Sequence, residues 1–88
     1  MTYNITYSDN FSTEIQKLTD KYQTIVFSKI EILRNNPRHP SLRTKVLGGH
    51  PGLFESRVSD DIRLVWRHMG NKIILMLDVG HHDMLKNY

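Results

Sequence analysis

Cysteine is absent from this 88-residue chain. Disulfides and thiolate metal ligands are therefore excluded, and the absence fits a reducing compartment. No apolar run approaches the roughly 20 residues of a membrane span, and the polar N-terminus lacks a signal-peptide pattern. The expectation is a soluble, cytoplasmic protein. Repeats, linkers and low-complexity stretches are missing too, so residues 1–88 read as a single domain. A chain this short buries roughly two-thirds or less of its unfolded surface, which leaves a thin core. One further lack is local. From Ile32 to Phe54 there is no acidic residue, while Arg34, Arg38, Arg43 and Lys45 fall there with His39 and His50. The net charge of +3 is mild, but this block reads as a basic surface attractive to polyanions.

What is present changes period along the chain. Tyr3, Ile5 and Tyr7 alternate with polar residues and predict a first strand. Phe11, Ile15, Leu18, Tyr22, Ile25, Val26, Ile30 and Leu33 then fall at spacings of three and four, the stripe of an amphipathic helix pair. Asp20 is placed to cap the second helix, with Gln23 three positions on. Asn35-Asn36-Pro37 ends the helical stretch, because proline disfavours a helical residue before it. A short strand is expected around Thr44 to Leu47, before Gly48-Gly49.

Three more strand-like runs follow, separated by the turn signals Asp60-Asp61 and Gly70-Asn71, and read as an antiparallel meander. Alternation places Arg63, Val65 and Arg67 on one face and Ile62, Leu64 and Trp66 on the other, with Arg57 on the preceding strand. The third run, Ile73 to Val79, is almost wholly apolar and reads as a central strand. It breaks at Gly80 and delivers His81-His82-Asp83 to the rim. The expected fold is α+β: an antiparallel sheet of four to five strands with two N-terminal helices packed on one face. The buried set should include Ile15, Leu18, Ile25, Ile30, Leu64, Trp66 and Leu75, with the other face left to solvent or a partner.

The order of elements, the segment Leu53-Phe54-Glu55-Ser56-Arg57-Val58, the strand Ile62-Arg63-Leu64-Val65-Trp66 and the ending Asp78-Val79-Gly80-His81-His82-Asp83 resemble the RelE/ParE toxin superfamily. The Gly-x-His ending is similar to the YafQ-like branch of messenger-RNA interferases. The resemblance implies a RelE-like fold and the toxin of a type II toxin–antitoxin system. Such toxins are small basic proteins that bind the ribosomal A site and cut the messenger, the ribose 2′-hydroxyl attacking the adjacent phosphate without a metal. It also implies a cognate antitoxin from the same operon. Position by position, Arg57 matches a basic residue of the third strand, Arg63 an arginine of the next, and His82 the active-site position after the glycine. The chain departs from the pattern at Leu85 and Lys86, where relatives often carry an aromatic residue, leaving Tyr88 as the only later one. Glu55 stands where some relatives have lysine, making the face less cationic.

The chemistry so implied needs a base, an acid and a cation. Histidine serves the first two near neutral pH, and the arginine fork fits phosphate oxygens. His82 with Arg57 and Arg63 forms one such set, Asp83 is placed to orient a histidine, and His50, in the glycine-rich loop, is a second acid–base candidate. The same His82 also reads as a plain surface histidine at a strand end. Lys45, Arg43, Arg67, His81 and Tyr88 are the expected RNA-binding residues, with Phe54 an alternative stacking ring. His39 and His68 read as surface residues. No cofactor or metal is expected, because adjacent histidines rarely reach one ion. The rival reading in another class is a ParE-like toxin that inhibits DNA gyrase without cutting RNA, and a third is a degenerate toxin retaining only antitoxin binding. Fold does not separate these.

Overall fold

The structure, a computed structural model, describes residues 2–88. N-terminal alternation gives strand β1 (Asn4–Tyr7), and the three-and-four spacing gives helices α1 (Asp9–Ile15) and α2 (Asp20–Asn35). Each helix starts on a hydroxyl. Ser8 Oγ accepts from the Phe11 amide at 3.0 Å, and Thr19 Oγ1 from the Tyr22 amide at 3.3 Å. The cap of α2 is thus Thr19 rather than Asp20, whose carboxylate instead sits in the first turn, where the helix dipole favours it. Gln23 closes no capping box with Asp20; its amide donates to the Leu18 carbonyl at 2.9 Å.

Past α2 the chain makes a 3-10 turn at Pro40–Leu42, then β2 (Lys45–Val46), β3 (Phe54–Arg57), β4 (Ile62–Met69), β5 (Ile73–His81) and a final 3-10 turn, His82–Asn87. The sheet order is β1-β5-β4-β3-β2. Strands β2 to β5 are antiparallel neighbours, as the turn signals require, while β1 pairs parallel with β5 and makes the sheet mixed. The helices carry the chain from β1 across one face to the far edge. Four alternating strands then return β5 beside β1 in the same direction.

The core lies between helices and sheet: Phe11, Ile15, Leu18, Val26, Ile30 and Leu33 against Ile62, Leu64, Trp66, Ile74, Met76 and Val79. Ile25 is half-buried beside it. Leu75 is not a core residue; it is half-buried, and its neighbours Ile74 and Met76 point inward. A continuously apolar strand carries no period-2 signal, so its phase was ambiguous. A bulge shifts that phase once more. Val65 pairs with Asp78 but Trp66 with Met76, so Leu77 is an extra residue on β5. Beyond it Val79, and not Asp78, meets the core.

The face away from the helices is only partly open, contrary to the expectation that it is left to solvent or a partner. Val65, Leu47 and Asp78 are buried outside the main cluster. The C-terminal turn packs on β4 and β5, the Tyr88 hydroxyl donates to Asp78 at 2.8 Å, and the His50 ring meets Tyr88 edge-on at 5.7 Å. Short apolar residues and a capped carboxylate form a second, small core there. No helix among the described residues is long and apolar enough to cross a membrane.

Candidate functional site

Strand register sets the site. On the face opposite the helices one cross-strand row runs Lys45, Glu55, Val65, Asp78, and the next runs Arg57, Arg63, Gly80. Tyr88 roofs the Asp78 end. The remainder forms a cavity of about 430 Å³ lined by Arg43, Lys45, Glu55, Arg57, Arg63 and His82. Four cations, one carboxylate and one imidazole thus face a single concave space.

Each group is held differently. Arg43 follows the Pro40–Leu42 turn with a left-handed backbone (φ 47°), which turns the chain into β2. Lys45 Nζ is 3.8 Å from Glu55 Oε1, the lysine largely exposed and the Glu55 side chain only 13% exposed. Arg63 is buried to 8% exposure. Its Nη1 donates to the carbonyls of Ser59 (2.8 Å), Asp60 (3.0 Å) and Ile62 (3.2 Å), pinning the β3–β4 turn. Among the described residues its Nε and Nη2 carry no such bond, so they remain available to the cavity. Opposite Arg63 stands Gly80, whose missing side chain leaves room: a Cβ there would meet Met84 at 3.4 Å.

His82 enters where β5 gives way to the last turn, a junction fastened by Asp61. One Asp61 oxygen bonds the His81 ring, and the other accepts a long 3.4 Å bond from the His82 amide. The hydrogen bond with His81 holds the Asp61 carboxyl below its usual range, outweighing a desolvation effect of opposite sign. His81 also meets Tyr22 of α2 edge-on at 6.3 Å. The adjacent histidines therefore diverge, His82 to the cavity and His81 to the helix side.

The expected residues do not all converge. Arg57, Arg63, His82, Lys45 and Arg43 share the cavity; Arg67, His50, His81, Asp83 and Tyr88 do not line it. Arg67 is exposed on the same face, one row further along opposite Leu75. His50 sits in the β2–β3 loop, its amide bonded to the Leu47 carbonyl and its ring on Tyr88. Asp83 is exposed in the last turn, and the carboxylate that engages the histidines is Asp61. The Tyr88 phenol is pushed far up by burial, with the Asp78 hydrogen bond adding to it. Phe54 stacks on Trp66 on the helix side, centroids 4.8 Å apart, so it offers no ring to this cavity.

Three acids matter that sequence reading passed over. Asp61 read only as a turn residue, Asp78 as part of an apolar strand, and Glu55 as a loss of positive charge. For Glu55 the signal was there, since two residues before Arg57 is the same face. Glu55 and His82 together supply a proton acceptor and a proton donor around a space suited to a phosphate. Among the described residues no three His, Asp or Glu side chains converge as a metal site would require.

No family's sequence profile matches the chain, and no curated protein matches it in sequence. Solved structures do. The chain is similar to one in the archaeal RelE–RelB complex of Pyrococcus horikoshii OT3, with 20% identity, a TM-score of 0.76, and 93% of this chain and 97% of that one covered. Against the DinJ–YafQ toxin–antitoxin complex of E. coli the values are 19%, 0.77, 97% and 98%. Against the toxin–antitoxin complex RelBE2 of Mycobacterium tuberculosis they are 20%, 0.78, 92% and 99%. The likeness spans nearly the whole of each chain, so the fold is that of the RelE-like toxins.

Proposed function

We propose that this chain is the toxin of a type II toxin–antitoxin pair and a metal-independent endoribonuclease that cuts messenger RNA in the ribosomal A site. The observation that carries the reading is the placement of Glu55 and His82 in one cavity with Arg57, Arg63, Lys45 and Arg43. In this reading the scissile phosphate sits among the cations, whose forked and point charges match its oxygens and the charge that develops on them. The Glu55 carboxylate takes the proton of the 2′-hydroxyl as that oxygen attacks phosphorus. The His82 imidazolium gives its proton to the departing 5′-oxygen. The products are a 2′,3′-cyclic phosphate and a 5′-hydroxyl, and the proton count closes with Glu55 protonated and His82 neutral. Asp61 positions His82. A cognate antitoxin partner is supported by the similar structures, which are toxin–antitoxin complexes.

Primer extension on a translated messenger after induction tests this. Wild type should give discrete 5′ ends and His82→Ala should lose about 10²–10⁴-fold of the rate, with Glu55→Gln similarly impaired. Cleavage should survive EDTA, and His50→Ala, outside the cavity, should still cut. Unchanged cleavage by both His82→Ala and Glu55→Gln would sink the assignment. Gyrase inhibition without any RNA cut would replace it with the ParE-like reading.

A further inference from the structure

At the far edge of the sheet lies a second cavity of about 280 Å³, between the loop that follows α2 and strands β2 and β3. Its floor is aromatic. Phe54 stacks on Trp66 with planes 24° apart, and His68 meets the two rings edge-on at 5.8 and 5.2 Å. Its charged lining is Arg38 and Lys45, with no carboxylate. Lys45 lines the first cavity as well, so the two spaces meet at β2, an edge strand of only 2 residues.

The floor is also preformed. Trp66 Nε1 donates to Ser56 Oγ at 2.9 Å, Ser56 lies 2.7 Å from Thr44 Oγ1, and Thr44 donates to the Pro37 carbonyl at 2.9 Å. Since Thr44 uses its proton on Pro37, Ser56 must donate to Thr44. This relay ties the loop to the sheet and holds Trp66 in place before a ligand enters.

We propose that this second cavity is a nucleotide subsite, taking the base next to the phosphate held in the first cavity. The base would lie against Phe54 and His68, with Trp66, 1% exposed, behind them. Its phosphate would meet Arg38 and Lys45. Aromatic rings bordered by cations and free of carboxylates are the features that hold single-stranded nucleic acid. The inference rests on the RNA-cleaving reading, because it assigns the neighbour of the scissile phosphate.

Trp66 is the only tryptophan, so its fluorescence reports a single position, in the floor of this cavity. The probes are a 2′-O-methyl oligoribonucleotide, which cannot be cut, and an abasic oligonucleotide of equal length. Fluorescence anisotropy of an end label reads binding, and Trp66 emission reads the subsite. The base-bearing oligonucleotide should bind and quench Trp66, while the abasic one should bind without quenching. Arg38→Glu should raise the half-quenching concentration about tenfold, the scale of one charge-assisted phosphate contact. The Arg38 side chain makes no hydrogen bond among the described residues, so that variant should fold normally. Binding without any change at Trp66, or an Arg38→Glu titration like wild type, overturns the subsite and leaves the RNA reading standing. No binding of either oligonucleotide overturns both.

Discussion

Arg63 has two tasks that a single substitution does not separate. Its position in the cavity makes it a phosphate ligand in the proposed reaction, yet its Nη1 also holds three carbonyls of the β3–β4 turn. Removing a charged donor from carbonyls that are at least partly buried costs about 1–3 kcal/mol. Arg63→Ala should therefore lower the urea midpoint as well as RNA binding, whereas Arg57→Ala, which makes no such bonds, should lower binding alone. Equal midpoints for Arg63→Ala and wild type would show that the clamp contributes nothing. Trp66 presents the core counterpart: fully buried and hydrogen-bonded to Ser56, it should cost about 3–5 kcal/mol when cut to alanine. At the chain's end, Tyr88 has a folded pKa raised above 10.0 by burial and by Asp78. A raised value stabilises fully below the unfolded pKa and fades as pH climbs above it. Alkaline unfolding should thus lose part of its pH dependence in Tyr88→Phe; identical profiles for the two proteins would show that Tyr88 does not anchor the C-terminus.

Among the elements, β5 shows where sequence stops being sufficient. The helix pair, the meander and the arginine-bearing face of β4 followed from spacing alone, because each alternates or repeats visibly. The grouping of His82 with Arg57 and Arg63 came instead from the resemblance to the RelE-like toxins, while Arg43 and Lys45 stood out as part of the acid-free basic block. Ile73 to Leu77 is apolar without interruption, and neither its phase nor its bulge leaves a mark in such a run. What supports the bulge comes from 67 and 69 positions away: the Leu77 carbonyl, left out of the ladder, accepts from Asn10 Nδ2 at 2.9 Å and Ser8 Oγ at 3.1 Å. Long-range partners of this kind are invisible in local periodicity, and for the same reason the Tyr88–Asp78 bond was not foreseen. Deleting Leu77 should leave Met76 opposite Trp66 and Asp78 opposite Val65 in unbroken alternation, so Val79 stays inward and only the Ser8 and Asn10 bonds to the Leu77 carbonyl are lost, about 1–3 kcal/mol. Denaturant unfolding of the deletion against wild type measures it, and a loss of about 3–5 kcal/mol, the scale of an unpaired buried charge, would mean that Asp78 has turned inward instead.

The whole molecule is polarised although its net charge is small. On the helices Asp9, Glu14, Asp20 and Glu31 offset Lys21, Lys29 and Arg34, while on the strand face and its rim Arg43, Lys45, Arg57, Arg63 and Arg67 outnumber Glu55 and Asp78. Glu31 is further tied to Arg34 and Glu14 to Lys17, so cations on the helix side are partly neutralised within it. In the proposed function a polyanion would be turned toward the cavity face before contact, with counterions leaving as each phosphate is neutralised. For single strands the plot of log affinity against log salt steepens by about 0.7 per phosphate contacted. Arg57→Ala should make that slope shallower by about 0.7, and Arg57→Ala with Lys45→Ala by about twice as much. Lys17→Ala, outside the cavity lining and already paired with Glu14, changes the net charge as much as Arg57→Ala does but should leave the slope unchanged. The comparison separates a localised phosphate site from general attraction to a basic protein: if Lys17→Ala and Arg57→Ala shift the slope equally, affinity follows total charge and the cavity has no special part in it.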